Sequence, residues 1–430
     1  MNSRTRTAGR GTTTATFLRT LGPGLVTGAA DDDPSGIATY SQGGAQFGYA
    51  LCWTMFLTAP FMIAIQLVSA RIGAVTGRGL AANLKKALPA AALHGIVGLL
   101  LIANTLNLAA DIAAMGEALG LVIGGPTLIY VTIFGLGCLG GEVLIPYHLY
   151  SRYLKTLTFV LFAYVVAALS IRIPWGQVLA ATFIPRVSWD RDFLLMLVAI
   201  FGTTISPYMF FWQASQEAEE RCLRSGGNGA YLAKRLSRRE SRRIGVDTTA
   251  GMVLSNLIGF FIIVTTAATL HVHGKVHIGT AADAAEALRP LAGPLTFALF
   301  SLGIIGTGLL AVPVLAGSAA YAVAESFGWK GSLEMPAGRA QGFYLIVAAA
   351  TIAGLLVALT PLDAIRMLFW SAVVNGIVAV PLMAAIMLVV ANRKLMGRFT
   401  ASRALLIGGW IATALMTVVV AAMFVTSLGG

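Results

Sequence analysis

Long apolar runs alternate along the chain with short polar stretches that collect Lys and Arg. Eleven of the runs are long enough to span about 30 Å of hydrocarbon as helices. They cover 18–48, 50–70, 92–121, 126–147, 153–174, 193–220, 245–270, 292–324, 340–360, 364–391 and 404–427. Two are interrupted, the first at Asp33-Pro34-Ser35-Gly36 and the sixth at Ser206-Pro207. Proline removes a backbone donor and glycine releases helical geometry. The freed carbonyls must then line protein or a watery cavity, where they can meet a cation. Breaks five spans apart predict two halves of opposite orientation whose broken helices meet at the midplane and hold a site between them. The expected fold is an all-α polytopic membrane protein of about eleven transmembrane helices, a 5+5 inverted repeat in a single domain. A basic cytoplasmic tail covers 1–17, the first repeat 18–174, the second 193–391 and an extra helix 404–427.

Composition supports this reading. Hydrophobic residues make up 57% of the 430 and charged ones 11%, against about 25% charged in a soluble domain. The net charge of +12 does not point to nucleic acid. With the N-terminus cytoplasmic, 24 of the 30 Lys and Arg fall in inner segments. That asymmetry predicts N-terminus in, C-terminus out. The run 234–243 reads as a solvated inner surface facing the lipid bilayer. The polar start lacks a short apolar core with a cleavage site, so no leader is expected. Cys52, Cys138 and Cys222 neither pair by spacing nor form CxxC. No HExxH, GxSxG or P-loop occurs, so the chain is not expected to be an enzyme or an ATP-driven pump. No resident cofactor and no obligate protein partner are inferred.

The densest acidic cluster, Asp31-Asp32-Asp33, sits at the first break. Each buried charge costs at least about 2.5–3.5 kcal/mol at bilayer depth. On a helix the three side chains are about 100° apart and cannot share one site. Asp33, beside the break, is the expected ligand. Asp31 and Asp32 line an aqueous vestibule, pair with another group or sit protonated. The second break offers Thr203, Thr204 and Ser206. All these donors are oxygens, which suits hard divalent cations. No Cys or His stands nearby for zinc or copper. In the third span Asn104, Asn107 and Asp111, spaced i, i+3, i+7, form a polar stripe facing the pathway or packing against neighbours. Asn256 and Asn375 read as packing hydrogen bonds, and 271-HVHGKVH-277 as a solvated loop.

Several stretches resemble one family. These are Gly22-Pro23-Gly24 followed by Asp33-Pro34-Ser35-Gly36, the segment 66-QLVSARIGAVTGRGLA-81, and 48-GYALCW-53. They resemble the Nramp divalent-metal transporters, and the resemblance implies the inverted-repeat fold of sodium-coupled symporters. It implies metal contacts at Asp33, Gly36, Thr203 and Ser206. Asp31, Asp32, Asn104, Asp111, Thr204 and Tyr208 would then line the pathway or stand behind the ligands. The family's Asn ligand is Gly36 here, its Met is Ser206 and its His is Tyr208. An acid expected seven positions before Asp111 is Asn104, while Asp111 matches a family acid. This combination is similar to the Nramp-related magnesium transporter branch. It implies a roomier, all-oxygen site for partly hydrated Mg²⁺, and also Mn²⁺. The expected activity is uptake into the cytoplasm by alternating access without proton coupling, in a bacterial inner membrane. The alternative is a proton-coupled Mn²⁺/Fe²⁺ symporter. Asp111, Glu117 and Glu142 are its candidate proton carriers, or else hydrogen-bonded buried acids.

Overall fold

A computed structural model describes residues 22–145, 158–224 and 236–428. The expected tail 1–17, the head of the fifth span and residues 225–235 of the inner segment lie outside the described residues. The first broken span is a pair of helices, α1 (Pro23–Asp31) and α2 (Pro34–Phe47). A bend at Gly48–Leu51 leads into α3 (Cys52–Thr76) and then α4 (Leu80–Ala87), α5 (Ala90–Ile123) and α6 (Thr127–Leu144). The described part of the fifth span is α7 (Phe162–Ser170), followed by α8 (Trp175–Phe183). The second broken span is α9 (Arg191–Thr204) and α10 (Pro207–Arg224). Then come α11 (Arg238–Thr269), the short α12 (Ala281–Ala285) and α13 (Arg289–Ala292), and α14 (Thr296–Phe327). The chain continues through α15 (Gln341–Ala358), α16 (Ala364–Ala391), α17 (Arg393–Met396) and α18 (Arg403–Leu428). Among the described residues nine helical stretches are long and apolar enough to cross a bilayer. One of them, Pro34–Thr76, joins α2 to α3. The chain is a multi-pass membrane protein.

Both spans are interrupted as expected, and the prolines stand just after the breaks. Pro34 and Pro207 each begin a helix, where the missing N–H would have had no intrahelical partner anyway. The first break is therefore at Asp32–Asp33, and Pro34-Ser35-Gly36 form the opening turn of α2. The second is at Ile205-Ser206. The described part of the inner basic run begins a helix. Ser237 and Glu240 form a reciprocal capping box, so Arg238–Arg243 are already the first turns of α11.

The half-helix α1 lies directly on α11. A Cβ on Gly28 would fall 2.4 Å from the Gly251 carbonyl, so only glycine permits this approach. Asp247 of α11 caps the start of α1, accepting the amides of Gly22 and Gly24 at 2.8 Å and of Leu25 at 3.3 Å. Arg243, one turn earlier, bridges Glu217 at 3.2 Å and Glu220 at 2.9 Å on α10. At the other end, Lys275 ties the loop after α11 to Asp283 at 2.7 Å and Glu286 at 2.8 Å. Hydrogen bonds to those two carboxylates hold the Lys275 ammonium above its ordinary range.

Candidate functional site

Asp33 is the N-cap of α2: its Oδ1 accepts the Gly36 amide at 2.8 Å. Its Oδ2 faces two further donors, the Asn107 amide at 3.0 Å from α5 and the Tyr208 hydroxyl at 3.2 Å from α10. Tyr208 also reaches the Ala30 carbonyl at 3.0 Å, so one proton bridges the end of α1 and the start of α2. The two breaks therefore meet on one carboxylate. Gly36 lies at the crossing. The point where its Cβ would stand is 3.2 Å from the Asp31 carbonyl and 3.3 Å from Thr203 Oγ1. A freed carbonyl and a hydroxyl, both oxygen, lie nearest this point, while the Asp33 carboxylate stands on the amide of Gly36.

The other expected residues divide into groups. Ser206 turns its hydroxyl back onto the end of α9, bonding the Gly202 and Thr203 carbonyls at 2.8 and 2.7 Å. Its proton is thus spent on the backbone, and its lone pairs remain. Thr204 bonds Ile200 O at 2.6 Å and lies 3.1 Å from the Tyr40 hydroxyl, on the side of α9 that meets α2. Asp111 is fully buried and neither carboxylate oxygen has a hydrogen-bond partner. The Asp33 carboxylate and the Ser35 amide lie within its electrostatic reach. Asn104 does not face the crossing. It bonds Leu315 O at 2.9 Å and Ser318 Oγ at 2.7 Å on α14.

Two expectations are corrected. Asp31 and Asp32 line no aqueous vestibule, being 0% and 2% exposed. The Ser255 hydroxyl of α11 stands between them, 3.1 Å from Asp32 Oδ1, and its one proton is shared by the two carboxyl groups. The Gly36 position is also not roomier. Asp33, Thr203 and Ser206 are 1–2% exposed, and the Tyr40 ring joins the two oxygens within 3.4 Å of a Gly36 Cβ.

A separate cavity of about 320 Å³ opens beside α2. Ala38, Gln42, Asp192, Met196, His277 and Phe369 are among its lining residues. The loop histidines scatter. His271 bonds Ala45 O at 2.8 Å, His273 bonds Thr269 O at 2.6 Å, and His277 lines the cavity. Asn256 is a packing group, with partners at Thr58 and the Met252 carbonyl. Among the described residues no three His, Cys, Asp or Glu gather around one point.

Residues outside the expected set complete the site. Asn107 touches Asp33 where Asn104 was expected, and Ser371 of α16 donates to Asn107 Oδ1 at 2.7 Å. Ser35 bonds the Leu368 carbonyl at 3.0 Å and lies 3.2 Å from Ser371 Oγ. Asn107 was visible in the polar stripe. Ser255, Ser371 and Asp247 gave no local signal, because each meets its partner more than 200 positions away in sequence.

Comparison with known proteins bears on the family and the fold. The family model "Natural resistance-associated macrophage protein-like" matches residues 24–426. A divalent metal cation transporter MntH of Verminephrobacter eiseniae is 27% identical over 303 residues, 68% of this chain. The match spans 65% of that relative's length. The MntH of Acidiphilium cryptum is 26% identical over 67% of this chain and 65% of its own. In three dimensions the chain resembles the Eremococcus coleocola manganese transporter, with a TM-score of 0.72 at 16% identity, over 98% of this chain and 89% of that one. The nucleobase-cation symporter Mhp1 shares the fold at a TM-score of 0.54 and 12% identity, over 95% of this chain and 93% of its own. The inverted-repeat fold expected from the two breaks is the fold of these neighbours. The chain belongs to the Nramp, or natural resistance-associated macrophage protein-like, family.

Proposed function

We propose that this chain carries hard divalent cations, Mg²⁺ and Mn²⁺, across a bacterial inner membrane into the cytoplasm by alternating access. The supporting observation is the meeting of Asp33, the Asp31 carbonyl and the Thr203 hydroxyl around Gly36. Oxygen donors suit Mg²⁺ and Mn²⁺. The family's soft thioether position is Ser206, whose hydroxyl serves the backbone. The relatives' names support divalent metal as substrate. With the family His replaced by Tyr208, transport is driven by gradient and membrane potential. A divalent ion gains about 4.6 kcal/mol per 100 mV, twice the single-charge value. In this reading Asp33 is the ligand. Thr203 and the Asp31 carbonyl complete its oxygen set, and Tyr208 ties both breaks to the same carboxylate.

The second reading, a proton-coupled Mn²⁺/Fe²⁺ symporter, draws support from the divalent metal cation transporters among its relatives and from the buried, unpartnered Asp111 carboxyl. Purified protein in liposomes separates the two. The proposal expects Mg²⁺ and Mn²⁺ uptake driven by an inside-negative potential, abolished by Asp33→Ala, with a flat internal pH. Internal acidification that tracks metal uptake selects the symporter. Failure of Mg²⁺ to compete with Mn²⁺ removes magnesium from the proposal.

A further inference from the structure

We propose that Asn107 is a reversible oxygen ligand of the metal site, and that Ser371 and the α2–α16 seam read which way its amide points. The inference rests on the metal-transport reading above. It begins from donor and acceptor arithmetic. Asn107 is fully buried, so neither of its amide atoms has water as a partner. A carboxylate accepts and does not donate. The amide therefore turns its NH₂ to Asp33 Oδ2, at 3.0 Å. Its oxygen is left facing Ser371, whose hydroxyl donates to it at 2.7 Å.

A cation on Asp33 reverses the demand. It repels an N–H donor and attracts an amide oxygen, a usual ligand for hard divalent ions. A half-turn of the amide exchanges oxygen and nitrogen with almost no change of shape. The NH₂ then faces Ser371 Oγ, which has lone pairs to accept it. The Ser371 proton has another acceptor in place, the Leu368 carbonyl at 2.8 Å. Both orientations thus leave every buried polar atom partnered. That is the condition for a buried amide to turn at low cost.

The turn also reaches the seam between α2 and α16. Ser35 of α2 donates to the same Leu368 carbonyl and touches Ser371. With a cation bound, the Ser371 proton is committed to Leu368, and its oxygen is held by the Asn107 NH₂. The Ser35 hydroxyl on α2, which shares the Leu368 carbonyl and lies against Ser371 Oγ, then meets a hydroxyl whose proton has moved. Asn107 thereby carries ion binding at Asp33 to the polar contacts between α2 and α16.

The test uses full-length purified protein with Mn²⁺ and Mg²⁺, reading binding by calorimetry and the melting midpoint with and without metal. Asn107→Leu keeps the branched shape of the side chain and removes both polar amide atoms. It should melt within a few degrees of the parent without metal and bind Mn²⁺ at least tenfold more weakly. Asn107→Asp supplies oxygen without a donor. It should melt earlier without metal, because two carboxylates then face each other, and bind Mn²⁺ at least as tightly as the parent. Its metal-induced rise in melting should exceed the parent's. Asn107→Leu binding within twofold of the parent overturns the proposal. So does Asn107→Asp losing binding as Asn107→Leu does, which is the result of a merely structural bridge. If the parent binds no metal, or Asp33→Ala binds as the parent does, the metal reading itself falls and takes this inference with it. Parent binding that Asp33→Ala abolishes, with no loss in Asn107→Leu, refutes this inference alone.

Discussion

Gly251→Ala is the sharpest perturbation the fold offers. The new Cβ would stand 2.2 Å from the Gly24 carbonyl oxygen and 2.9 Å from its carbon. Both are backbone, so no side chain can turn aside. Restoring an ordinary contact of about 3.4 Å or more requires α1 to retreat from α11 by about 1.2 Å. The Gly22 and Gly24 amides now sit 2.8 Å from Asp247. The same displacement along those bonds carries them to about 4 Å, beyond hydrogen-bond range. If α1 stays in place instead, overpacking costs about 1–3 kcal/mol. Either way the strain falls on the arrangement with α1 closed onto α11, and an arrangement with α1 swung away escapes it. At tenfold per about 1.4 kcal/mol, the balance shifts toward the swung arrangement by about 5- to 150-fold. Val26, on α1, is 6% exposed and reports on this. In a Cys222→Ser background, maleimide labelling of Val26→Cys should speed up at least fivefold when Gly251→Ala is added. An unchanged labelling rate together with unchanged uptake would refute the seam as the element that moves.

The remaining predictions are more local. Gly36→Asn restores the family's amide in sequence, yet its Cβ already meets Asp31 O and Thr203 Oγ1 at 3.2 and 3.3 Å. Uptake of both Mg²⁺ and Mn²⁺ in liposomes should therefore fall at least tenfold; a gain of Mn²⁺ over Mg²⁺ without loss of rate would contradict the tight crossing. Thr351→Val removes the hydroxyl that donates to Glu142 Oε2 at 3.2 Å, while Oε1 already lacks a partner. An orphaned buried carboxyl costs about 1–3 kcal/mol, which should show as a lower melting midpoint in detergent, and an unchanged midpoint would count against it. The Lys275 clasp contributes fully below the ordinary lysine range, near 10.5, and is lost as pH rises through the raised value. Proteolytic nicking of the loop at 271–289 should stay flat from pH 7 to about 10 and rise above it, with Lys275→Met nicked readily throughout.

The apolar spans were legible because a bilayer imposes length and polarity on every crossing helix. The acidic cluster was legible as a site because carboxylates at that depth need a reason. What the spacing did not reveal depended on the other half of the chain. The DPSG stretch reads as a break, yet Pro34 starts a helix, and the break moves back to Asp32 because Asp33 caps that start. Asn104 and Asn107 lie on one helical stripe, and only the placement of α14 and α16 tells which faces the crossing. Gly36 suggests space when counted by its own missing side chain. Tyr40 and Thr203, brought in by the fold, occupy that space.

The first break also explains how the two half-helices can move apart. Each has its N-terminus capped by an aspartate, and the two caps lie on different anchors. Asp247 holds α1 to α11, assisted by Ser255 on Asp31 and Asp32 and by Gln213 on Thr27. Asp33 caps α2 from within, while Asn107, Ser371 and the Leu368 carbonyl bind that helix to α5 and α16. The bonds of α1 run to α10 and α11, whereas α2 adds ties to α5 and α16, besides Tyr40 on Thr204 and Ala45 on His271. Between Asp32 and Asp33 the chain changes anchor, and the Tyr208 proton shared by Ala30 O and Asp33 Oδ2 spans that boundary. A cation on Asp33 competes with that proton for the carboxylate oxygen. Hydrogen bonds to a charged group are worth about 1.5–3 kcal/mol each, so releasing this one weakens the tie between the two halves at the moment of loading. Ion binding and the freedom of α1 to part from α2 are thereby set by the same carboxylate oxygen.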